Sequence, residues 1–409
     1  MSDLSAIAAI STPLGTGGVG IIRISGKNAT KIADRVFVSV NGKKLSASKG
    51  YRAYFGKIYD GESAIDEVVC LVFRAPHSYT GEDTVEINCH GGIVLMKKIL
   101  RLVLQNGAQA ATPGEFTKRA FLNGKLDLSE AESVMTLISA QGEQGASAAF
   151  NQLEGTLSRK IDKINSSLLS LAAHIAAWVD YPDDEIEELE ENELYNTINS
   201  ANLELSALLN NFDSGMAITN GVEAAIVGKP NVGKSTLMNL LTGYDRSIVT
   251  EIEGTTRDVV EETINLNGCI LRISDTAGMR ETGDIVEKLG VERSKKKLER
   301  ASIVFAVFDL SKPLSDEDRE LIDECKGKNV IPIINKTDLE PCLDVEYIKN
   351  TLDTPLFISA KNGDGYNELC ERVANLMGTK NFDTTSAMLV NERQRLCCQK
   401  AVNALNDAL

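Results

Sequence analysis

Gly228-Lys229-Pro230-Asn231-Val232-Gly233-Lys234-Ser235 fits the spacing Gly-x-x-x-x-Gly-Lys-Ser/Thr. Each residue type in that spacing has a chemical reason. Gly228 and Gly233 let backbone amides close around phosphate oxygens, Lys234 sets a point charge on the β- and γ-phosphates, and the Ser235 hydroxyl can ligate magnesium. The apolar run Ala224-Ala225-Ile226-Val227 just before it reads as a buried strand. A helix starting at the motif adds its positive end to the phosphate field. Asn231, Val232, Gly233, Lys234, Ser235 and Thr236 are thus the expected phosphate-binding set.

Later segments supply the rest of a nucleotide site. Asp275-Thr276-Ala277-Gly278 follows the strand Ile270–Ser274; the Asp belongs in the second shell of the magnesium, and the Gly amide can sense a γ-phosphate. Asn335-Lys336-Thr337-Asp338 follows the strand Val330–Ile334. The Asp338 carboxylate can accept from both guanine N1–H and the 2-amino group, donors that adenine lacks. Ser359-Ala360-Lys361 ends the next strand and fits a loop that supports the base. Between them, Gly254-Thr255-Thr256-Arg257-Asp258 lies where a first switch is needed, and Thr256 can complete the magnesium shell when the γ-phosphate is present. Five elements in this order imply a guanine-nucleotide domain, and the arrangement resembles the translation-factor-like branch of P-loop GTPases over roughly 160 residues. Met279 follows Asp275–Gly278, where Ras-type proteins carry a water-orienting Gln. Methionine cannot polarise water, so hydrolysis is either very slow or served by another residue and another cation.

The elements that must position these groups follow three textures. Residues 1 to about 118 read as β-rich with interspersed helix, with strands at 18–25, 67–74 and 84–90. From about 120 the period turns helical. Ser129 and Glu132 form a capping-box signature; Val134, Leu137 and Ile138 then fall on one face, and Leu153, Leu157, Ile161, Ile164, Leu168 and Leu171 continue the stripe. The acidic run from Asp180 to Glu193 reads as solvated, and a second helix from about 191 leads to Phe212. From about 217 strands at 222–228, 259–267, 269–274, 302–308, 329–334 and 355–359 alternate with helices, which predicts a mostly parallel sheet covered on both faces. Residues 391–409 read as helix again.

With 409 residues and a net charge of −15, the chain has material for several cores and no general basic surface for indiscriminate phosphate binding. A local basic patch for a nucleic-acid substrate remains compatible with that charge. Eight cysteines lie without metal-like spacing and read as free thiols of a reducing cytoplasm; Cys89-His90-Gly91-Gly92 lacks a second cluster to complete a site. The N-terminus is too polar for a signal peptide, and no stretch approaches a transmembrane span. Gly15–Gly20 fits Gly-x-Gly-x-x-Gly, but a dinucleotide site needs the strand before the motif and here it comes after. His77, His90 and His174 read as isolated core or surface residues.

The segments outside the nucleotide site narrow the reading. Residues 12–20 (Thr-Pro-Leu-Gly-Thr-Gly-Gly-Val-Gly), Tyr79-Thr80-Gly81-Glu82-Asp83, His90-Gly91-Gly92 and residues 113–128 (Pro-Gly-Glu-Phe-Thr-Lys-Arg-Ala-Phe-Leu-Asn-Gly-Lys-Leu-Asp-Leu) resemble the MnmE (TrmE) tRNA-modification GTPases across essentially the whole chain. The resemblance implies a multidomain α/β plus α fold. An N-terminal α/β domain (1–118) would bind a tetrahydrofolate derivative, 5,10-methylene or 5-formyl, and form the homodimer. A helical bundle (119–216 and 381–409) would be interrupted by the inserted P-loop GTPase domain with a mostly parallel sheet (217–380), its last helix packing back on 120–215. The resemblance also implies an FAD- and NADH-using partner of the MnmG/GidA family. With it, carboxymethylaminomethyl or aminomethyl groups are built at C5 of the tRNA wobble uridine.

By the same resemblance Arg23, Glu82 and Lys125 fall on the folate contacts; on their chemistry alone they are equally ordinary salt-bridging residues. A potassium ion would take the place of an arginine finger, ligated by Asn231 and enclosed by Thr250, Glu251, Ile252, Glu253, Gly254 and Thr255, with Thr250, Ile252 and Thr255 as ligands beside Asn231. Glu287 aligns with the carboxylate that orients the attacking water; on chemistry alone it is equally a solvated residue at a helix start. Family chains continue to a Cys-x-Gly-Lys tail, whereas this sequence stops at Leu409, and Cys397-Cys398 lie too early to substitute. The resemblance implies that this tail reaches towards the folate and tRNA chemistry. Two other classes use the same nucleotide domain: a GTP-regulated ribosome-assembly factor, and a folate enzyme with GTP as effector. The first would more naturally carry a basic RNA-binding domain than residues 1–128; the second differs in not requiring GTP turnover.

Overall fold

A computed structural model describes residues 5–181, 190–244, 261–274 and 298–409. Thr250 to Thr256, Asp275 to Gly278, Met279, Glu287 and most of the acidic run at 182–189 lie outside the described residues. The described chain divides into two compact units, at residues 5–131 and 132–409.

The first unit is built on alternation. β1 (Ile7–Ile10), β2 (Gly17–Ser25), β3 (Phe37–Ser39), β4 (Arg52–Asp60), β5 (Ser63–Phe73), β6 (Thr84–Gly91) and β7 (Gln109–Ala110) form a sheet in the order β3-β4-β5-β6-β2-β1-β7, antiparallel except for β1 beside β7. Ile22, Ile24, Val68, Cys70, Val72, Val85 and Ile87 alternate onto one face and are buried. There they join the core shared with α1 (Ala29–Val36) and α2 (Ile93–Gln105). The same period of two sends Arg23 and its cross-strand partner Glu86 to the opposite face. β2 runs through the Gly-x-Gly-x-x-Gly stretch from Gly17, so no strand-then-helix turn forms there.

α3 (Glu115–Leu122) and α4 (Leu128–Ser139) follow. The expected cap of α4 is corrected. Asp127 and Glu130 make the reciprocal bonds, Glu130 N to Asp127 Oδ1 at 2.9 Å and Asp127 N to Glu130 Oε2 at 2.8 Å. Glu132 instead takes Arg393 at 2.6 Å and Gln394 at 2.7 Å. The buried face of α4 is also corrected: Ser133 and Thr136 are inside, and Ile138 is 71% exposed. Hydroxyl side chains occupy the buried positions there, which the apolar pattern did not register.

α5 (Glu143–Leu153), α6 (Thr156–Asp180), α7 (Glu191–Asn210) and α8 (Phe212–Thr219) complete the helical run. The stripe expected from Leu153 to Leu171 is divided at Gly155, which caps α6 in the left-handed region. Leu157, Ile164 and Leu171 are buried, while Ile161 turns outward. The carboxyl-terminal helix, residues Glu392–Ala408, packs on α7: Val402 and Cys398 join Ala201, Leu205 and Leu208 in one cluster, and Cys398 Sγ donates to Leu205 O.

The nucleotide-type sheet has the order β13-β12-β11-β8-β10-β9, comprising β8 (Val222–Val227), β9 (Glu261–Leu266), β10 (Cys269–Ser274), β11 (Ile303–Asp309), β12 (Val330–Asn335) and β13 (Leu356–Ile358). Only β9 runs antiparallel to its neighbour. All of β11 and β12 is buried; Ile303, Phe305 and Val307 face one core and Val304, Ala306 and Phe308 the other. Such two-sided burial explains why these strands read as unbroken apolar runs. α9 (Lys234–Tyr244), α10 (Asp316–Cys325), α11 (Val345–Thr351), α12 (Tyr366–Leu376) and α13 (Glu392–Ala408, the helix on α7) are the remaining described helices. No described helix is long and apolar enough to cross a membrane.

Candidate active site

The described loops that bear nucleotide motifs, at 228–235, 335–338 and 359–361, follow the carboxyl ends of parallel strands β8, β12 and β13, where α/β folds place ligands. β8 ends at Val227 and hands the chain to the Gly228–Ser235 loop, and α9 starts at Lys234. The loop closes tightly because three residues adopt positive φ: Gly228 at 150°, Asn231 at 64° and Gly233 at 99°. A Cβ on Gly228 would lie 2.5 Å from Val307 O. Lys234 Nζ donates to the carbonyls of Gly228 at 2.6 Å and Lys229 at 2.7 Å, so its ammonium sits inside the loop. Burial holds its pKa below the usual lysine value. Ser235 and Thr236 are exposed at the first turn of α9. These groups fit a magnesium nucleotide: a half-buried cation, a helix start and an exposed hydroxyl at the mouth.

The segments expected to read the base are joined to that loop by one buried side chain. Asn335 donates from Nδ2 to Val232 O at 2.8 Å and accepts at Oδ1 from Ala360 N at 3.0 Å. It ties the phosphate loop to the Ser359-Ala360-Lys361 loop. Ser359, fully buried, donates from Oγ to Asp338 Oδ1 at 2.9 Å and so fixes the carboxylate of an otherwise exposed residue. Lys336 has φ 67° and reaches back to Asn231 O at 2.8 Å. Lys361 is exposed beside them. The structure therefore gathers Asn231 to Thr236, Asn335, Lys336, Asp338 and Ser359 to Lys361 at one sheet end.

Sequence reasoning passed over two supports of this loop. Lys229 pairs with Asp318 at 2.6 Å and donates to Ser315 Oγ at 2.8 Å, at the capping box of α10. Asp309, the last residue of β11, pairs with Lys336 at 2.6 Å. A carboxylate closing an otherwise wholly apolar strand was the available signal for the second.

A model described as the MnmE helical domain matches residues 128–409, and one described as the GTP-binding protein TrmE N-terminus matches residues 6–125. The proteins named tRNA modification GTPase MnmE from Clostridioides difficile (strain 630) and Bacillus subtilis (strain 168) are each 42% identical to the chain. The first aligns over 98% of this chain and 88% of its own length, the second over 99% and 90%. The chain belongs to the MnmE family of tRNA modification GTPases. That of Bacillus pumilus (strain SAFR-032) is 43% identical over 99% of this chain and 90% of its own.

The MnmE-type first unit holds a second constellation. Arg23 on β2 makes two bonds of 2.8 Å with Glu86, and its guanidinium lies 5.4 Å from the ring centre of Tyr79 and 5.5 Å from that of Phe116. Glu82 accepts from Ser25 Oγ at 2.8 Å and from the buried Arg119 at 3.2 Å. Lys125 is exposed after α3, and its stem packs by Gly81, where an added Cβ would come within 3.2 Å of Lys125 Cγ. Arg23, Glu82 and Lys125 thus meet around residues 79–82 and α3. Arg119, Glu86, Tyr79 and Phe116 were given no role from sequence; Tyr79 lies within the motif 79–83 and Arg119 and Phe116 within 113–128, so position in those motifs was the signal, and only Glu86 lacked one.

Arg119 also reaches Glu115 at 3.0 Å and Ser5 O at 3.1 Å. Glu115 is held below its ordinary pKa, chiefly by the Thr112 amide, with the Arg119 bond adding to it against burial. Arg119→Ala leaves Glu82 and Glu115 without their cation. It is expected to destabilise the first unit by about 3–5 kcal/mol, read in the full chain as lost amide-exchange protection along β2 and α3.

Cys89 and His90 point to opposite faces, as neighbours on a strand must. Cys89 is buried with Sγ on Gly20 O, and burial pushes its thiol up to about 11; His90 Nδ1 pairs with Asp66 at 2.7 Å. They do not form a joint ligand pair.

Proposed function

We propose that the chain is a potassium-activated GTPase that works with an FAD-dependent partner of the MnmG/GidA family. Together they install carboxymethylaminomethyl or aminomethyl groups at C5 of the tRNA wobble uridine, with a tetrahydrofolate derivative as one-carbon source. The observation that carries the GTPase part is the Asn335 strut, which holds the phosphate loop and the Asp338–Ser359 base-reading pair together in a chain of the MnmE family.

In this reading Lys234 and the amides of residues 231–236 bind the phosphates. Asp338 reads guanine N1–H and the 2-amino group, and Ala360 and Lys361 flank the base. Ser235 and Thr256 would hold magnesium, with Asp275 behind them and the Gly278 amide at the γ-phosphate. Asn231, Thr250, Ile252 and Thr255 would hold potassium. Held by these residues, the cations would supply positive charge against the negative charge that grows in the transition state. Glu287 orients the attacking water in place of Met279. Hydrolysis drives a conformational cycle of a homodimer whose nucleotide domains approach each other; no phosphate enters the product.

The first unit supports the folate part. The Glu82 carboxylate keeps lone pairs beyond those used by Ser25 and Arg119 and suits pterin N–H donors, while Arg23 and Lys125 suit the ligand's polar and carboxylate ends. The domain limits 1–118, 119–216, 217–380 and 381–409 belong to the same proposal.

The test measures GTP turnover and the C5 group on tRNA side by side, in potassium and sodium chloride at equal ionic strength. Flavoprotein, NADH and folate are present, and protein concentration is varied. Strong potassium stimulation of both, rising with protein concentration, is expected. Equal rates in the two salts would remove the cation assignment. Turnover without the tRNA product would remove the modification reading for this chain.

A further inference from the structure

We propose that Asp309 is a positioning residue for guanine-nucleotide binding, acting through Lys336. It rests on the guanine site proposed above. Asp309 is a buried carboxylate to which neither the phosphate loop nor the base-reading segment assigns a task. It ends β11 in register with Asn335 on β12. Both of its oxygens are committed inside the protein: Oδ1 accepts from Ser311 N at 3.0 Å and Ser311 Oγ at 2.7 Å, and Oδ2 accepts from Lys336 Nζ at 2.6 Å. A carboxylate so engaged is aimed at Lys336 rather than at a magnesium ion.

What it fixes is unusual. Lys336 and Asn231 are both non-glycine residues in the left-handed region, at φ 67° and 64°, and the Lys336 ammonium donates to the Asn231 carbonyl at 2.8 Å. Left-handed backbone at a non-glycine residue persists where its surroundings over-determine it. One Lys336 ammonium therefore pins two strained turns, one in the phosphate loop and one at the base. The Asp309 carboxylate, itself locked by Ser311, determines where that ammonium sits. The geometry makes base reading and phosphate binding a single preorganised unit.

The experiment measures KM and kcat for GTP, and affinity for a fluorescent GDP analogue, in the full chain. Asp309→Asn is expected to raise KM about ten-fold and weaken GDP by the same factor, with kcat changed less than about two-fold. Ser311→Ala shifts KM the same way by less, and carries the test if Asp309→Asn does not fold. In a Lys336→Ala background, Asp309→Asn should weaken binding no further. Unchanged KM in Asp309→Asn, or in Ser311→Ala where that variant carries the test, would overturn the inference. So would effects of Asp309→Asn and Lys336→Ala that multiply. Failure of the guanine reading is seen separately, as unaltered base preference in Asp338→Asn.

Discussion

Gly233→Ala is expected to weaken GTP binding about 100-fold, roughly 3 kcal/mol, while the rest of the fold stays intact. Two penalties act at once. Gly233 has φ 99°, which a side chain rarely adopts, and an added Cβ would overlap Asn335 Nδ2. Asn335 has no room to retreat, being buried and bonded at both ends, to Val232 O and Ala360 N. Relieving the overlap breaks one of those bonds, leaves a buried amide unpaired and separates the phosphate loop from the base loop. Titration calorimetry with GDP checks it, together with a thermal melt. Affinity within about three-fold of the parent would show that the Asn335 strut is not what holds the two halves of the site together.

Asp338→Asn is expected to turn the site from guanine to xanthine. Guanine offers two donors, N1–H and the 2-amino group, to one carboxylate. Xanthine replaces the amino group by a carbonyl, which an amide at 338 can serve as donor while still accepting from N1–H. Losing charge-assisted bonds costs roughly 1.5–3 kcal/mol, so GTP affinity should fall by about 10- to 100-fold while that for xanthosine triphosphate rises. The side chain's fixed position makes the switch clean: Ser359 is fully buried and bonds Asp338 Oδ1, so the amide inherits the carboxylate's place. Competition between the two triphosphates measures it. An unchanged preference would take Asp338 out of the guanine contact.

Both variants act at positions already visible in the chain as text. Spacing alone marked the Gly228–Ser235 loop, Asn335 to Asp338 and Ser359 to Lys361, because phosphate and guanine constrain residue type over a few consecutive positions. Composition and period marked β8 to β13 to within one or two residues, since a strand buried on both faces must be apolar throughout. Local rules worked less well on the helices. The capping box of α4 rests on Asp127 and Glu130 instead of Ser129 and Glu132. Both pairs satisfy the same local pattern; Glu132 is claimed by Arg393, 261 residues away. The stripe through Leu153 to Leu171 ignored Gly155, whose left-handed backbone splits it between α5 and α6.

The sequence by itself determined the nucleotide class, the alternation that builds the second sheet, and the family to which the chain belongs. Each is a matter of residue type at short spacing, set by local chemistry. Only the tertiary structure decided which residues hold the site together. Asn335 as strut, Asp309 as anchor of Lys336, Lys229 on the α10 cap and Arg119 between Glu82 and Glu115 all join segments that are 37 to 105 residues apart or end a chain of contacts that does. Nothing in a linear pattern says which distant atom a buried polar group will meet. Burial forces each such group to find a partner, and the packing of the strands, not the neighbouring residues, determines which one is within reach.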